Sequence, residues 1–143
     1  MDSTATATWS GDLFTGSGTT TLTSGAGGPF PVSWASRTED SGGRTSPEEL
    51  IAAAHAACFN MAFSNELAKA DHPADQLYTT AVATFDRTDA GWRIVRMTLS
   101  VRGTVPGIGA SAFVELAEKA KDGCPVSNAL AGNVEITVEA ELA

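Results

Sequence analysis

The sequence predicts an α+β domain whose elements run in the order βββ-α-ββ-α-β. Three observations carry that prediction. The first 36 residues are rich in threonine and glycine and read as short strands joined by turns. An apolar run, Leu50 to Phe63, follows a strong helix start. Two long alternating stretches flank Asp89-Ala90-Gly91, a hairpin signal.

In chain order, Ala5 to Trp9 alternates small and polar residues before Ser10-Gly11-Asp12. Gly18 to Thr23 is threonine-rich around Leu22, as a half-buried strand would be. Ser24 to Pro29 is a turn by composition, and Phe30 to Ser36 reads as the third strand, with Val32 and Trp34 on one face. An antiparallel meander is expected. After a glycine-bearing loop, Asp40 to Thr45, a helix begins with Ser46 as N-cap and Pro47 at the first helical position. Glu49 is expected to close a capping box. The helix is apolar nearly all round through Phe63, so it belongs in a core or between subunits. Polarity returns at Asn65-Glu66 and the segment fades by Asp71-His72-Pro73.

Leu77 to Asp86 and Trp92 to Gly103 read as paired strands. In the second, Trp92 and Ile94 fall out of phase with Met97, Leu99 and Val101. A bulge near Arg96 or a one-residue misreading of the strand would each produce that step. Ser111 to Asp122 is an amphipathic helix, with Gly123 read as its terminator. Cys124-Pro125-Val126-Ser127 opens a further turn, and Asn133 to Leu142 alternates as a last strand.

The chain has 143 residues, of which 43% are hydrophobic and 18% charged, which suits a single folded domain over residues 1–143. Its net charge of −8 opposes binding to nucleic acid or anionic membranes. Met1-Asp2-Ser3-Thr4 has neither the basic start nor the apolar core of a secretory signal, and the apolar run is too short to cross a bilayer. A cytoplasmic location is expected, with reduced thiols. Two cysteines without a CxxC pair, and two histidines without ligand spacing, suggest neither a disulfide scaffold nor a metal site.

Two cysteines in such a chain can be small core residues and nothing more. Cys58 lies within the buried helix, where burial alone raises a thiol's pKa, so it needs a cation to ionise. Cys124 precedes Pro125 at a helix N-terminus, where backbone N–H groups favour a thiolate. From the residues alone, Cys124 is the first choice of nucleophile.

The stretch Thr45-Ser46-Pro47-Glu48-Glu49-Leu50-Ile51-Ala52-Ala53-Ala54-His55-Ala56-Ala57-Cys58-Phe59 resembles the signature of the OsmC/Ohr family of hydroperoxide-reducing proteins. Gly123-Cys124-Pro125-Val126-Ser127 resembles that family's second cysteine motif, and the cysteines lie 66 positions apart, as in the family. The loop before the helix and Val105-Pro106-Gly107-Ile108 resemble the OsmC branch more than the Ohr branch. The absence of any arginine before Arg37 points the same way. The resemblance implies an OsmC-like fold, with antiparallel sheets around central buried helices in an intertwined homodimer. It implies a peroxidase without cofactor or metal, acting in oxidative or osmotic stress on organic hydroperoxides and reduced by a dithiol, with dihydrolipoyl groups of a lipoylated protein as the expected donor. Cys58 matches the peroxide-attacking cysteine and Cys124 the resolving one, so the resemblance reverses the first choice. Glu48 matches the active-site acid and Arg37 the arginine of the OsmC branch.

On one straight helix, Glu48 and Cys58 are separated by about 15 Å along the axis. If both serve one site, Glu48 is expected to come from another subunit. Blander readings stand beside these. Arg37 could pair with Glu39 or Asp40 at the surface, and Glu48 could merely favour the helix dipole. His55 could tune the thiolate or be a hydrogen-bonded core or interface histidine. His72 reads as solvated; Trp9 and Trp34 read as core or interface residues, with Trp34 also a candidate for the pocket wall. Two other functions compete: a thiol redox sensor without turnover, and a module that binds hydrophobic ligands.

Overall fold

A computed structural model describes residues 1–143 as two compact units, Met1–Leu50 and Ile51–Ala143. The first unit holds strands β1 (Ala5–Ser10), β2 (Ser17–Leu22) and β3 (Phe30–Val32) in an antiparallel sheet of that order. Every residue of β1 is exposed, and the only buried residue before Ile51 is Glu48. The third strand is shorter than expected. After Val32 the chain turns into a single helical turn, α1 (Ala35–Thr38). Ser33 and Ser36 cause the turn, each hydroxyl accepting the other's backbone N–H at 3.1 Å. The element order therefore gains a helix.

The long helix α2 (Pro47–Lys69) is continuous across the boundary between the units. Ser46 Oγ accepts the Glu49 N–H at 3.1 Å, so half of the expected capping box forms. The Glu49 carboxylate instead accepts from Thr45 Oγ1, whose hydroxyl is the nearer donor. At the far end the N–H groups of Asp71 and His72 reach the carbonyls of Ala68 and Leu67, with Asp71 left-handed at φ 61°. This is a Schellman ending in which aspartate replaces the usual glycine. Burial runs down one stripe, Ala52, His55, Phe59, Phe63 and Leu67, at helical spacing. Ala53, Ala54, Ala57 and Met61 are exposed, Met61 at 69%. The helix is thus apolar on both faces and covered on one.

Strands β4 (Gln76–Thr88) and β5 (Gly91–Thr104) form an antiparallel hairpin closed at Asp89-Ala90, with Gly91 at φ 99°. Thr84 pairs with Arg96 and Phe85 with Ile94, which leaves Val95 as the extra residue of a bulge. That bulge is the phase step seen in the sequence, and Phe85 stacks on Trp92 at 5.1 Å beside it. Helices α3 (Ala110–Gly123) and α4 (Pro125–Leu130) then lead to β6 (Glu135–Leu142). Here the expectation of antiparallel sheets is corrected: β6 runs parallel to β5, because the helical connection returns the chain to the end where β5 began. Gly123 does not terminate α3 in a left-handed conformation either. It remains helical, and Cys124 is the C-cap.

The core belongs to the second unit. Phe59, Phe63 and Leu67 of α2 pack with Leu99 and Val101 of β5 and Phe113, Ala117 and Ala120 of α3. Gly103 lets Phe113 lie against the sheet: a Cβ there would sit 2.6 Å from the Phe113 ring. Polar ties reinforce α2, with Asn60 Oδ1 accepting from Thr79 Oγ1 at 2.6 Å and Glu66 paired with Lys69 and Lys119. No helix is long and apolar enough to cross a membrane.

Candidate active site

Arg37 is delivered by the one-turn helix α1, and the sequence around it is tied back to the start of α2. Thr45 donates its N–H to Pro31 O at 3.0 Å, and Ser36 Oγ lies 2.9 Å from Thr45 O. These contacts bring Arg37 to Glu48. Arg37 Nη2 donates to Glu48 Oε1 at 2.7 Å and Nε to Oε2 at 3.2 Å, a two-point pairing that fixes the plane of the guanidinium. The Glu48 side chain is 8% exposed and that of Arg37 27%. The guanidinium also lies 5.4 Å from the centre of the Trp34 ring, within cation–π range. Trp9, Leu13, Val32, Ser33, Trp34, Arg37 and Pro47 line a mostly apolar cavity of about 360 Å³. Trp9, read as a core or interface residue, is thus an exposed wall of this cavity, and Trp34 is another.

Within the second unit, Cys58 and Cys124 are free thiols, and Cys58 packs against the buried cluster to which Cys124 belongs. Cys58 is half-buried on α2; Cys124 is completely buried as the N-cap of α4. Burial pushes the Cys58 pKa up, the backbone N–H of Val126 opposes that rise, and Cys124 adds to it. Val126 is the second residue of α4, so its N–H is one of the donors a helix start leaves unpaired. Cys124 stands at that helix start as expected, and the Val126 N–H acts on Cys58. These influences leave the Cys58 thiol above its ordinary value, so ionising it at neutral pH requires a cation.

Glu48 and Cys58 both belong to α2. His55, one turn before Cys58, is fully buried, and its Nε2 lies 2.8 Å from Ser127 Oγ. Burial lowers its pKa, so it is neutral, and its Nδ1 has no partner. Ser127 stands in the second cysteine motif, but nothing in that stretch points to His55 as its partner. His72 is partly exposed, with Nδ1 3.2 Å from Pro106 O. Arg37 pairs with Glu48. No three His, Cys, Asp or Glu residues converge in a way that could hold a metal ion.

Residues 39–139 match the family described as OsmC-like protein. The chain is 44% identical over 134 residues to peroxiredoxin OsmC of Escherichia coli strain K12, covering 94% of this chain and 92% of that protein. It is 36% identical over 97 residues to organic hydroperoxide resistance protein OhrA of Bacillus subtilis strain 168, covering 66% of each. Among solved structures, organic hydroperoxide resistance protein OhrB of Bacillus subtilis superposes with a TM-score of 0.75 at 26% identity, covering 96% of this chain and 98% of that one.

Proposed function

The chain belongs to the OsmC-like family, and on that premise we propose that it is a thiol-dependent peroxidase that reduces organic hydroperoxides to alcohols. The observation that carries the reading is a half-buried thiol, Cys58, packed against the buried cluster that holds a second thiol, Cys124. That arrangement suits an attacking and a resolving cysteine. The Cys58 thiolate attacks the outer peroxide oxygen; an S–O bond forms, the O–O bond breaks, and the alkoxide leaves as alcohol after taking a proton. Cys58 becomes a sulfenic acid. Cys124 gives up its proton and attacks that sulfur; the S–S bond forms and the hydroxyl departs as water. A dithiol returns two electrons by thiol–disulfide exchange, and a reducing cytoplasm is the setting that suits this donor.

The cation that Cys58 needs is Arg37, oriented by Glu48. Ten residues of straight helix span about 15 Å, so the Arg37–Glu48 pair serves the cysteine of a second protomer. The exposed face of Ala53, Ala54, Ala57 and Met61 supports that homodimer, since small residues allow close helix approach and leaving the face in water is unfavourable. The apolar cavity beside Arg37 favours an alkyl or aryl peroxide over hydrogen peroxide, since the organic group buries itself against Trp9, Trp34 and Val32.

The test is steady-state consumption of cumene hydroperoxide with dihydrolipoamide, thioredoxin or glutathione as donor. Many turnovers per chain are expected with the dithiol, and none in Cys58→Ser. A single stoichiometric oxidation would identify a redox sensor instead, and peroxide loss that survives Cys58→Ser would sink the thiol mechanism.

A further inference from the structure

His55 and Ser127 are buried polar side chains that the chemistry above leaves unused, and they bond to each other. Their positions are informative. His55 precedes Cys58 by three residues on α2, and Ser127 follows Cys124 by three at the start of α4. Residues three apart on a helix lie on one side of it, about one turn from each other. The His55–Ser127 hydrogen bond therefore joins the same two elements that carry Cys58 and Cys124, as a neighbouring rung to the disulfide proposed above. One rung is made and broken by the reaction; the other persists.

A directional bond at this place has a use. α4 has six residues, far too few to hold its shape or its seat by helix formation alone. A disulfide demands Cβ atoms about 3.8 Å apart and a narrow torsion, so a small slip of α4 along α2 prevents closure. An aliphatic side chain would fill the volume of His55 without leaving an imidazole Nδ1 buried and unpartnered. What histidine adds is a hydrogen bond of fixed length and direction, strengthened by its dry surroundings.

We infer that His55 and Ser127 are positioning residues for the resolving step: their hydrogen bond holds α4 in register so that the Cys124 sulfur meets the Cys58 sulfenic acid. The inference rests on the Cys58–Cys124 reading given above. It concerns one partition. Cys58–SOH either condenses with Cys124–SH, losing water and forming the S–S bond, or is oxidised by a second peroxide to sulfinic acid. A well-seated Cys124 favours the first branch.

The experiment oxidises wild type, Ser127→Ala, Ser127→Thr, His55→Gln and Cys124→Ser with cumene hydroperoxide in a quenched-flow instrument. Mass spectrometry then resolves the disulfide from the sulfinic acid, and Cys58 oxidation is timed separately. Ser127→Ala and His55→Gln are expected to close the disulfide roughly fivefold more slowly, the kinetic worth of one hydrogen bond. They should accumulate sulfinic acid toward the level of Cys124→Ser, with Cys58 oxidation at the wild-type rate. Ser127→Thr keeps a hydroxyl and should restore closure. Equal partition in wild type and Ser127→Ala overturns the inference and leaves the peroxidase reading intact. Equal slowing of both steps also overturns it, since the pair would then merely support the fold. A wild type that forms no Cys58–Cys124 disulfide removes the reading underneath, and that result is distinct from the other two.

Discussion

Glu48 sits in the first turn of a helix, where the dipole would favour any acid, yet it is buried and gripped at two points by Arg37. Pairing, rather than the dipole, explains why a carboxylate is tolerated there. His55 is the other costly burial, and its pH dependence can be worked out. Its folded-state pKa lies below the ordinary 6.5 because burial disfavours the imidazolium. Between those two values the unfolded chain binds a proton that the folded chain refuses, so stability rises with pH across the window. The contribution is complete above 6.5 and is lost as pH falls toward the folded value. Urea unfolding should show a loss of at most about 1.4 kcal/mol per pH unit below that point, absent in His55→Gln. An unchanged pH profile in His55→Gln would contradict the assignment. The residues themselves were unevenly legible. Glu48, Cys58 and Cys124 stand in motifs with fixed spacing, and so does Ser127, but its partner His55 is 72 positions away and no local pattern announces the pair.

Among the elements, those defined by local chemistry were readable and those defined by distant pairing were not. Ser46 and Pro47 mark the start of α2 in any context, and the out-of-phase step near Arg96 is a real bulge at Val95. The direction of β6 depends on where a helical connection returns the chain, and alternation is the same in either direction. The end of β3 was lost for a different reason: Ser33 and Ser36 favour a turn by bonding each other's backbone, an effect that a run of apolar residues conceals. Gly103 offers a test of packing at this scale. Gly103→Ala drives a methyl against the Phe113 ring and Leu77, so it should destabilise by about 1–3 kcal/mol. The reading is a lower urea midpoint at constant slope. No shift would mean that α3 is free to back away from the sheet.

At the scale of the whole molecule, the conspicuous fact is how little the first fifty residues bury: no apolar side chain of Met1–Leu50 is fully covered, and β1 is exposed throughout. A sheet of three strands needs an apolar face covered to persist in water. With the exposed alanine face of α2, this argues for a second copy of the chain. The wild type should elute as a dimer, and Ala57→Glu, which places a charge on that face, should shift it toward monomer and lower peroxide turnover with it. A monomeric, fully active wild type would exclude the shared site. The apolar-all-round composition of α2 was legible from the first pass; which face is covered within one chain was not, since both are built from the same residue types.

Solvent touches no atom of Cys124, while Cys58 has a window to the outside. Two thiols of similar intrinsic chemistry are thereby ranked by topography. In the mechanism proposed above, an incoming peroxide reaches the less buried Cys58 first, and Cys124 meets an electrophile only once Cys58 has become a sulfenic acid. Sequence of events follows from depth, with no need for a large gap in reactivity between the pair.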